Sequence, residues 1–90
     1  MSHQTEHQRI IHRAKIIKGQ IEGLIKKLEK DTYCIDILTQ SLAIQKSLAS
    51  LHNLVLHNHL QTCATEQIKG GKKEKVIEEI MKVYKLTQRS

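Results

Sequence analysis

Two cysteines and one histidine carry the most distinctive chemistry in this sequence. His59 and Cys63 stand four residues apart in a proline-free stretch. On a helix that spacing puts both side chains on one face, within reach of a single metal ion. Taken alone, it equally describes a packed cysteine beside an exposed histidine. Cys34 adds a third donor, 25 residues before His59. Along one straight helix, that separation is about 37 Å. No metal ion bridges such a gap within one chain, and no disulfide between Cys34 and Cys63 does either. Two copies of the helix packed antiparallel about a two-fold axis remove the difficulty. Cys34 of one chain then approaches His59 and Cys63 of its partner, and symmetry makes two equivalent sites per dimer.

Two thiolates and one imidazole form a soft, three-coordinate donor set. Soft thiolates select Cu(I) or zinc, and three donors without a fourth favour Cu(I). Zinc ordinarily takes a fourth ligand or a water. No general base stands close to these residues in sequence, so catalytic zinc chemistry, and enzymatic activity with it, is not expected. Five other histidines remain. His3, His7 and His12 offer accessory ligands or, more simply, are surface residues of a fraying end. His52 and His57 read as surface residues.

These donors need long helices to position them, and the absence of proline from the 90 residues permits them. The first helix is expected over about 4–30, where Ile10, Ile11, Ala14, Ile17, Ile21, Leu24, Ile25 and Leu28 recur at three- and four-residue steps. Gly19 and Gly23 lie inside it and cost about 1 kcal/mol each relative to alanine, which close approach of another helix would offset. Asp31 or Thr32 offers an N-cap for the second helix, with Asp36 in its first turn.

The second helix is expected over about 33–68. It carries two apolar stripes: Ile37, Ile44, Leu48, Leu51 and Val55 on one, Ile35, Leu38, Leu42, Ala49, Leu56 and Leu60 on the other. A helix apolar on two sides is buried on two sides, and one neighbour from so short a chain cannot cover both. A homo-oligomer with this helix at its centre follows. Gly70 and Gly71 stop it. A third helix, about 72–87, turns Val76, Ile77, Ile80, Met81 and Tyr84 inward. The fold class is all-α, in a single domain over residues 1–90.

Charge is unevenly placed. Residues 1–30 hold seven basic against three acidic groups, residues 31–68 one against three, and residues 69–90 seven against three. Two basic segments therefore flank a nearly uncharged middle, giving a net charge of +6 and a pI near 9.5. Such a surface favours polyanions, nucleic acid above all, though lysine-rich helices also serve simply as solvated faces. With Tyr33 and Tyr84 the only aromatic residues, base-stacking modes of RNA or single-strand recognition are disfavoured. No apolar run approaches the roughly 18 residues of a membrane span. Two cysteines are too few for a secreted disulfide scaffold, and no signal peptide is visible. A cytoplasmic location is the expectation.

The motifs have a counterpart. Tyr33-Cys34-Ile35-Asp36-Ile37-Leu38-Thr39-Gln40, His59-Leu60-Gln61-Thr62-Cys63 and Glu78-Glu79-Ile80 resemble the copper-sensing branch of the CsoR/RcnR family of all-helical metal-sensing repressors. Gly19-Gln20 with Glu22-Gly23 resembles that family's first-helix motif, and the likeness covers nearly the whole chain. The resemblance implies antiparallel dimers that associate into tetramers, and an apo-protein that binds double-stranded operator DNA and is released by Cu(I). It implies Cys34, His59 and Cys63 as ligands, with Cys34 supplied across the dimer. It adds Tyr33 and Glu79 as hydrogen-bond partners of the histidine.

Departures from the family pattern are equally specific. Ile16 and Lys18 stand where arginine and glutamate are common, and Gln45 where arginine is frequent. Arg9, Arg13, Lys15, Lys18 and Lys46 remain as DNA-contact candidates. Nickel and cobalt sensors of the family use histidine where Cys63 stands and add an N-terminal histidine, to which His3 lies close. Formaldehyde sensors rely on an N-terminal proline, and persulfide sensors lack a histidine at position 59. The leading expectation is thus a Cu(I)-responsive repressor of copper-resistance genes. A Ni(II) sensor of the same family, a Cu(I)-buffering protein without DNA activity, and a helical module with structural cysteines are the competing readings.

Overall fold

The computed structural model describes residues 3–87, with side chains from Thr5 onward. The chain is helical throughout: α1 (His3–Glu29), α2 (Cys34–His59), a π-helical turn (Leu60–Ala64), α3 (Thr65–Lys69) and α4 (Lys73–Thr87). No strand occurs among the described residues. Contacts group the chain into two compact units, one ending at Leu56 and the other beginning at His57.

In the first unit, α1 and α2 form an antiparallel hairpin. Arg13 Nη1 donates to Ser50 Oγ at 2.6 Å, and Gln40 Nε2 donates to the Gln20 carbonyl at 3.1 Å. Partners late on one helix thus meet partners early on the other. Ile17 and Ile44 form the buried centre. A Cβ at Gly23 would stand 3.7 Å from Gln40 Nε2, so Gly23 marks the side of α1 that faces α2. The expected close approach at Gly19 is not found: nothing lies within 4 Å of a Cβ built there.

The turn between α1 and α2 differs from expectation in one respect. Asp31 does not cap α2. It adopts φ 56°, the left-handed conformation, while its N–H bonds to the Leu28 carbonyl at 3.5 Å and the Thr32 N–H to the Lys27 carbonyl at 3.1 Å. This pair of bonds is a Schellman motif, and Asp31 is the residue that closes α1. Neither Asp31 nor Thr32 starts α2. The Tyr33 carbonyl accepts its first bonds, from the N–H groups of Asp36 at 3.0 Å and Ile37 at 3.3 Å. Aspartate tolerates the left-handed region because its short side chain bonds locally, which helix-cap statistics alone do not reveal.

In the second unit, the helix expected to run to residue 68 does continue to Lys69, but with the wide π turn inserted after His59. It ends as expected at the glycine pair. Gly71 takes φ 83°, its N–H bonds to the Ile68 carbonyl at 3.1 Å, and the Lys72 N–H bonds to the Gln67 carbonyl at 2.8 Å. Ala64 and Val76 are buried here. On α4 only Val76 is buried and Ile80 half-buried; Ile77, Met81 and Tyr84, expected inward, are exposed in the single chain. A 15-residue helix with one short partner segment has too little of its own chain to cover that stripe.

The two Schellman turns carry one prediction with opposite signs. Gly71→Ala forces a Cβ into the left-handed region and destabilises the protein by about 1–2 kcal/mol. Asp31→Gly relieves the same strain, and stabilises by about 0.5 kcal/mol because glycine's freedom in the unfolded chain offsets part of the gain. Chemical denaturation midpoints at one fixed protein concentration check both. Equal midpoints for all three proteins would contradict the motif assignment.

Candidate metal centre

Each expected ligand sits at a helix end or a helix irregularity. Cys34 is the first residue of α2 and is exposed. Tyr33, just ahead of it, is 71% exposed. His59 is the last residue of α2 and half-buried. Cys63 lies inside the π turn, exposed, in an open cleft lined by Glu66, Gln67, Gly70 and Lys72. Both cysteines are free thiols.

Hydroxyl groups dress the turn that separates His59 from Cys63. Thr62 Oγ1 donates to the Asn58 carbonyl at 2.8 Å and lies 3.7 Å from Cys63 Sγ. Thr65 Oγ1 donates to the Leu60 carbonyl at 2.6 Å, five residues back. Sequence reasoning passed over both threonines. The signal available was composition: two threonines flanking the second cysteine, residues that bond back to helix carbonyls.

The structure brings no complete ligand set together within one chain. Among the described residues, no group of three histidine, cysteine or acidic side chains is placed to hold one metal ion. His59 and Cys63 belong to the second unit, while Cys34 and Tyr33 belong to the first. Glu79 is exposed on α4, beside the half-buried Ile80. The side chain of His3 lies outside the described residues. His7, His12, His52 and His57 are all exposed.

The donor chemistry fits a soft cation with a low coordination number. Two unpaired thiols offer soft sulfur donors, and an imidazole stands one helical turn from one of them. Only Ile17, Ile44, Ala64 and Val76 are buried among the described residues of the single chain, while Ile35, Leu38 and Leu42 on α2 are each more than half exposed. Burying an isoleucine or leucine contributes about 1.5–3 kcal/mol, so covering this stripe would be favourable.

The basic candidates divide among three places on the first unit. Arg13 and Lys46 line one groove between α1 and α2, with Ile16, Ile17, Ser47 and Ser50. Arg9 shares a shallower cleft with His12 and Arg13, and makes a 3.5 Å ion pair with Glu6 one turn away. Lys18 borders an apolar groove with Ile21, Leu48 and Leu51, and Lys15 is exposed outside all three. No helix among the described residues is long and apolar enough to cross a membrane.

Comparison with known proteins gives one consistent answer. Residues 6–85 match the model of a family described as metal-sensitive transcriptional repressors. A copper-sensing transcriptional repressor CsoR from Mycobacterium ulcerans (strain Agy99) is 37% identical over 89 residues, spanning 97% of this chain and 76% of that protein. One from Mycobacterium tuberculosis (strain ATCC 25618 / H37Rv) is 36% identical over 77 residues, or 86% of this chain and 65% of its relative. The crystal structure of the copper-sensing repressor CsoR with Cu(I) from Geobacillus thermodenitrificans NG80-2 superposes with a TM-score of 0.89 at 36% identity, covering 94% of this chain and 88% of the other. With the family match spanning most of its length and relatives at this identity, the chain belongs to the metal-sensitive transcriptional repressor family.

Proposed function

We propose that this protein is a Cu(I)-responsive transcriptional repressor, not an enzyme, in which the whole chain acts as one metal-sensing domain. The apo-protein binds double-stranded operator DNA, and Cu(I) releases it, so that copper-resistance genes are expressed. The observation that carries this reading is the donor set. Two free thiols and a half-buried imidazole belong to a chain whose own fold leaves them in an incomplete site, and copper-sensing repressors are its relatives.

In the dimer, Cys34 of one chain joins His59 and Cys63 of the partner. The α2 stripe of Ile35, Leu38 and Leu42 supplies the apolar surface for antiparallel pairing, and two such dimers form the tetramer. Cu(I) would be held by these three donors and would supply a soft Lewis acid there. Tyr33 and Glu79 orient the His59 ring through its second nitrogen. The repressor works in the cytoplasm, where thiols stay reduced.

DNA phosphates are met by Arg13 and Lys46, which share one groove, by Arg9 in the cleft that also holds Arg13, and by Lys15 and Lys18 elsewhere on the first unit. Fluorescence anisotropy with the protein's own promoter duplex tests the reading. Affinity falls steeply with salt, because each neutralised phosphate releases counterions. Arg13→Ala with Lys46→Ala lowers the affinity and reduces the salt slope by about 1 for each phosphate that is no longer neutralised, while Cu(I) binding stays intact. Stoichiometric Cu(I), added anaerobically, dissociates the parent complex. An apo-protein without affinity for that duplex at low salt would instead make it a copper-buffering protein. Release by Ni(II) but not Cu(I) would assign the other metal.

A further inference from the structure

The π turn between His59 and Cys63 is unusual, because such turns are rare and concentrate at functional sites. Something has to keep the helix wide there, since the ordinary α-helical register competes at every residue. The backbone hydrogen bonds at the exit are irregular. The Thr65 N–H bonds three residues back, to the Thr62 carbonyl. The Leu60 carbonyl, five residues back, accepts from the Thr65 hydroxyl at 2.6 Å. A threonine in a regular helix bonds three or four residues back, as Thr87 does to the Tyr84 carbonyl at 2.6 Å and Thr39 to the Ile35 carbonyl at 2.8 Å. The five-residue reach of Thr65 matches the spacing of a π turn and not that of an α-helix.

We propose that Thr65 is a positioning residue for the metal ligands. Its hydroxyl holds the Leu60 carbonyl and so keeps the helix in its wide form, which sets the direction of Cys63 relative to His59. Thr62 assists from inside the turn. It bonds back to the Asn58 carbonyl, just ahead of His59, and its oxygen stands 3.7 Å from Cys63 Sγ. A hydroxyl has one proton, so Thr62 donates to the carbonyl or to the sulfur but not to both. The two threonines thus tie the two ligands to one local geometry without binding metal themselves. The competing explanation is that Thr65 merely back-bonds as Thr39 does, with no bearing on the ligands.

This inference rests on the proposed Cu(I) site, and its test separates the two. Thr65→Val keeps the shape and removes the hydroxyl, Thr65→Ser restores it, and Thr39→Val controls for the loss of an ordinary back-bond. Two readouts are taken on the full-length protein: Cu(I) affinity by competition with a chelator, and copper coordination number by X-ray absorption. A third needs no metal, namely the rate of Cys63 alkylation in the apo-protein against that of Cys34 in the same sample. In Thr65→Val, Cu(I) affinity falls about 10–100-fold, as expected for loss of a group that orients ligands. Coordination drops from three donors toward the two thiolates, and the Cys63 alkylation rate changes while that of Cys34 holds. Thr65→Ser returns all three to parental values, and Thr39→Val moves none. Parental affinity, coordination and Cys63 reactivity in Thr65→Val would overturn the inference. A parent protein that fails to bind Cu(I) through three donors would overturn the functional reading itself, whatever the alkylation rates show.

Discussion

Neither a Cys34→Ala chain nor a Cys63→Ala chain binds Cu(I) tightly, yet an equal mixture of the two does. Each variant keeps one thiolate per site, and losing a ligand exceeds the roughly 10–100-fold cost of losing a group that merely supports one. The affinity of each variant alone therefore falls by at least about a hundredfold. In the heterodimer the two ends differ. One end joins Cys34 from the Cys63→Ala chain to His59 and Cys63 of the Cys34→Ala chain, and is complete. The other end has lost both thiolates. Random exchange makes half the dimers mixed, so the mixture binds about 0.25 Cu(I) per chain with parental affinity. Anaerobic titration after subunit exchange measures it. Heterodimers that form and still bind nothing would mean that the ligands do not come from opposite chains.

That experiment starts from a feature legible in the sequence before any coordinates. Cys34 opens α2 and His59 closes it, and the span of a helix follows from residue count alone. Gly70 and Gly71 were equally legible, because glycine past the end of an apolar periodicity has one common meaning. Asp31 was not. It sits where an N-cap belongs for the second helix, and the same residue can close the first helix when its φ turns positive. Local sequence does not separate those two roles, because both use an aspartate a few residues before an apolar run. The π turn was hidden for a different reason. Hydrophobic periodicity averages over many residues, and one wide turn in a helix that continues to Lys69 shifts the phase by a fraction of a turn. The inward stripe of α4 was over-read, because periodicity marks which residues are apolar and not whether the same chain covers them. Ile77, Met81 and Tyr84 are apolar in phase and exposed in the single chain.

His59→Ala still binds Cu(I) through its two thiolates, more weakly, and loses most of the copper-driven release from DNA. The reason is where the histidine stands. A ligand held by one ring nitrogen exposes the other as a donor, and whatever accepts that hydrogen bond is drawn into the metal's response. Glu79 is the acceptor offered by the family resemblance, and it stands exposed on α4. The helix is held by Val76 and Ile80, while Ile77, Met81 and Tyr84 have no cover from their own chain. An element that its own chain buries so little costs that chain little to move. On this proposed route, a pull on Glu79, directly beside Ile80, shifts α4 and disfavours the form that fits DNA. The required difference is modest: coupling free energies of about 1–3 kcal/mol change DNA affinity about 5–150-fold. Glu79→Ala therefore binds Cu(I) nearly as the parent does but retains only part of the release, and Glu79→Gln, which still accepts a hydrogen bond, lies between the two. DNA affinity measured with and without Cu(I) for each variant decides it. Full release of Glu79→Ala by copper would show that Glu79 is only a surface acid among the tail's lysines, and the coupling would then have to run through the His59–Cys63 turn itself.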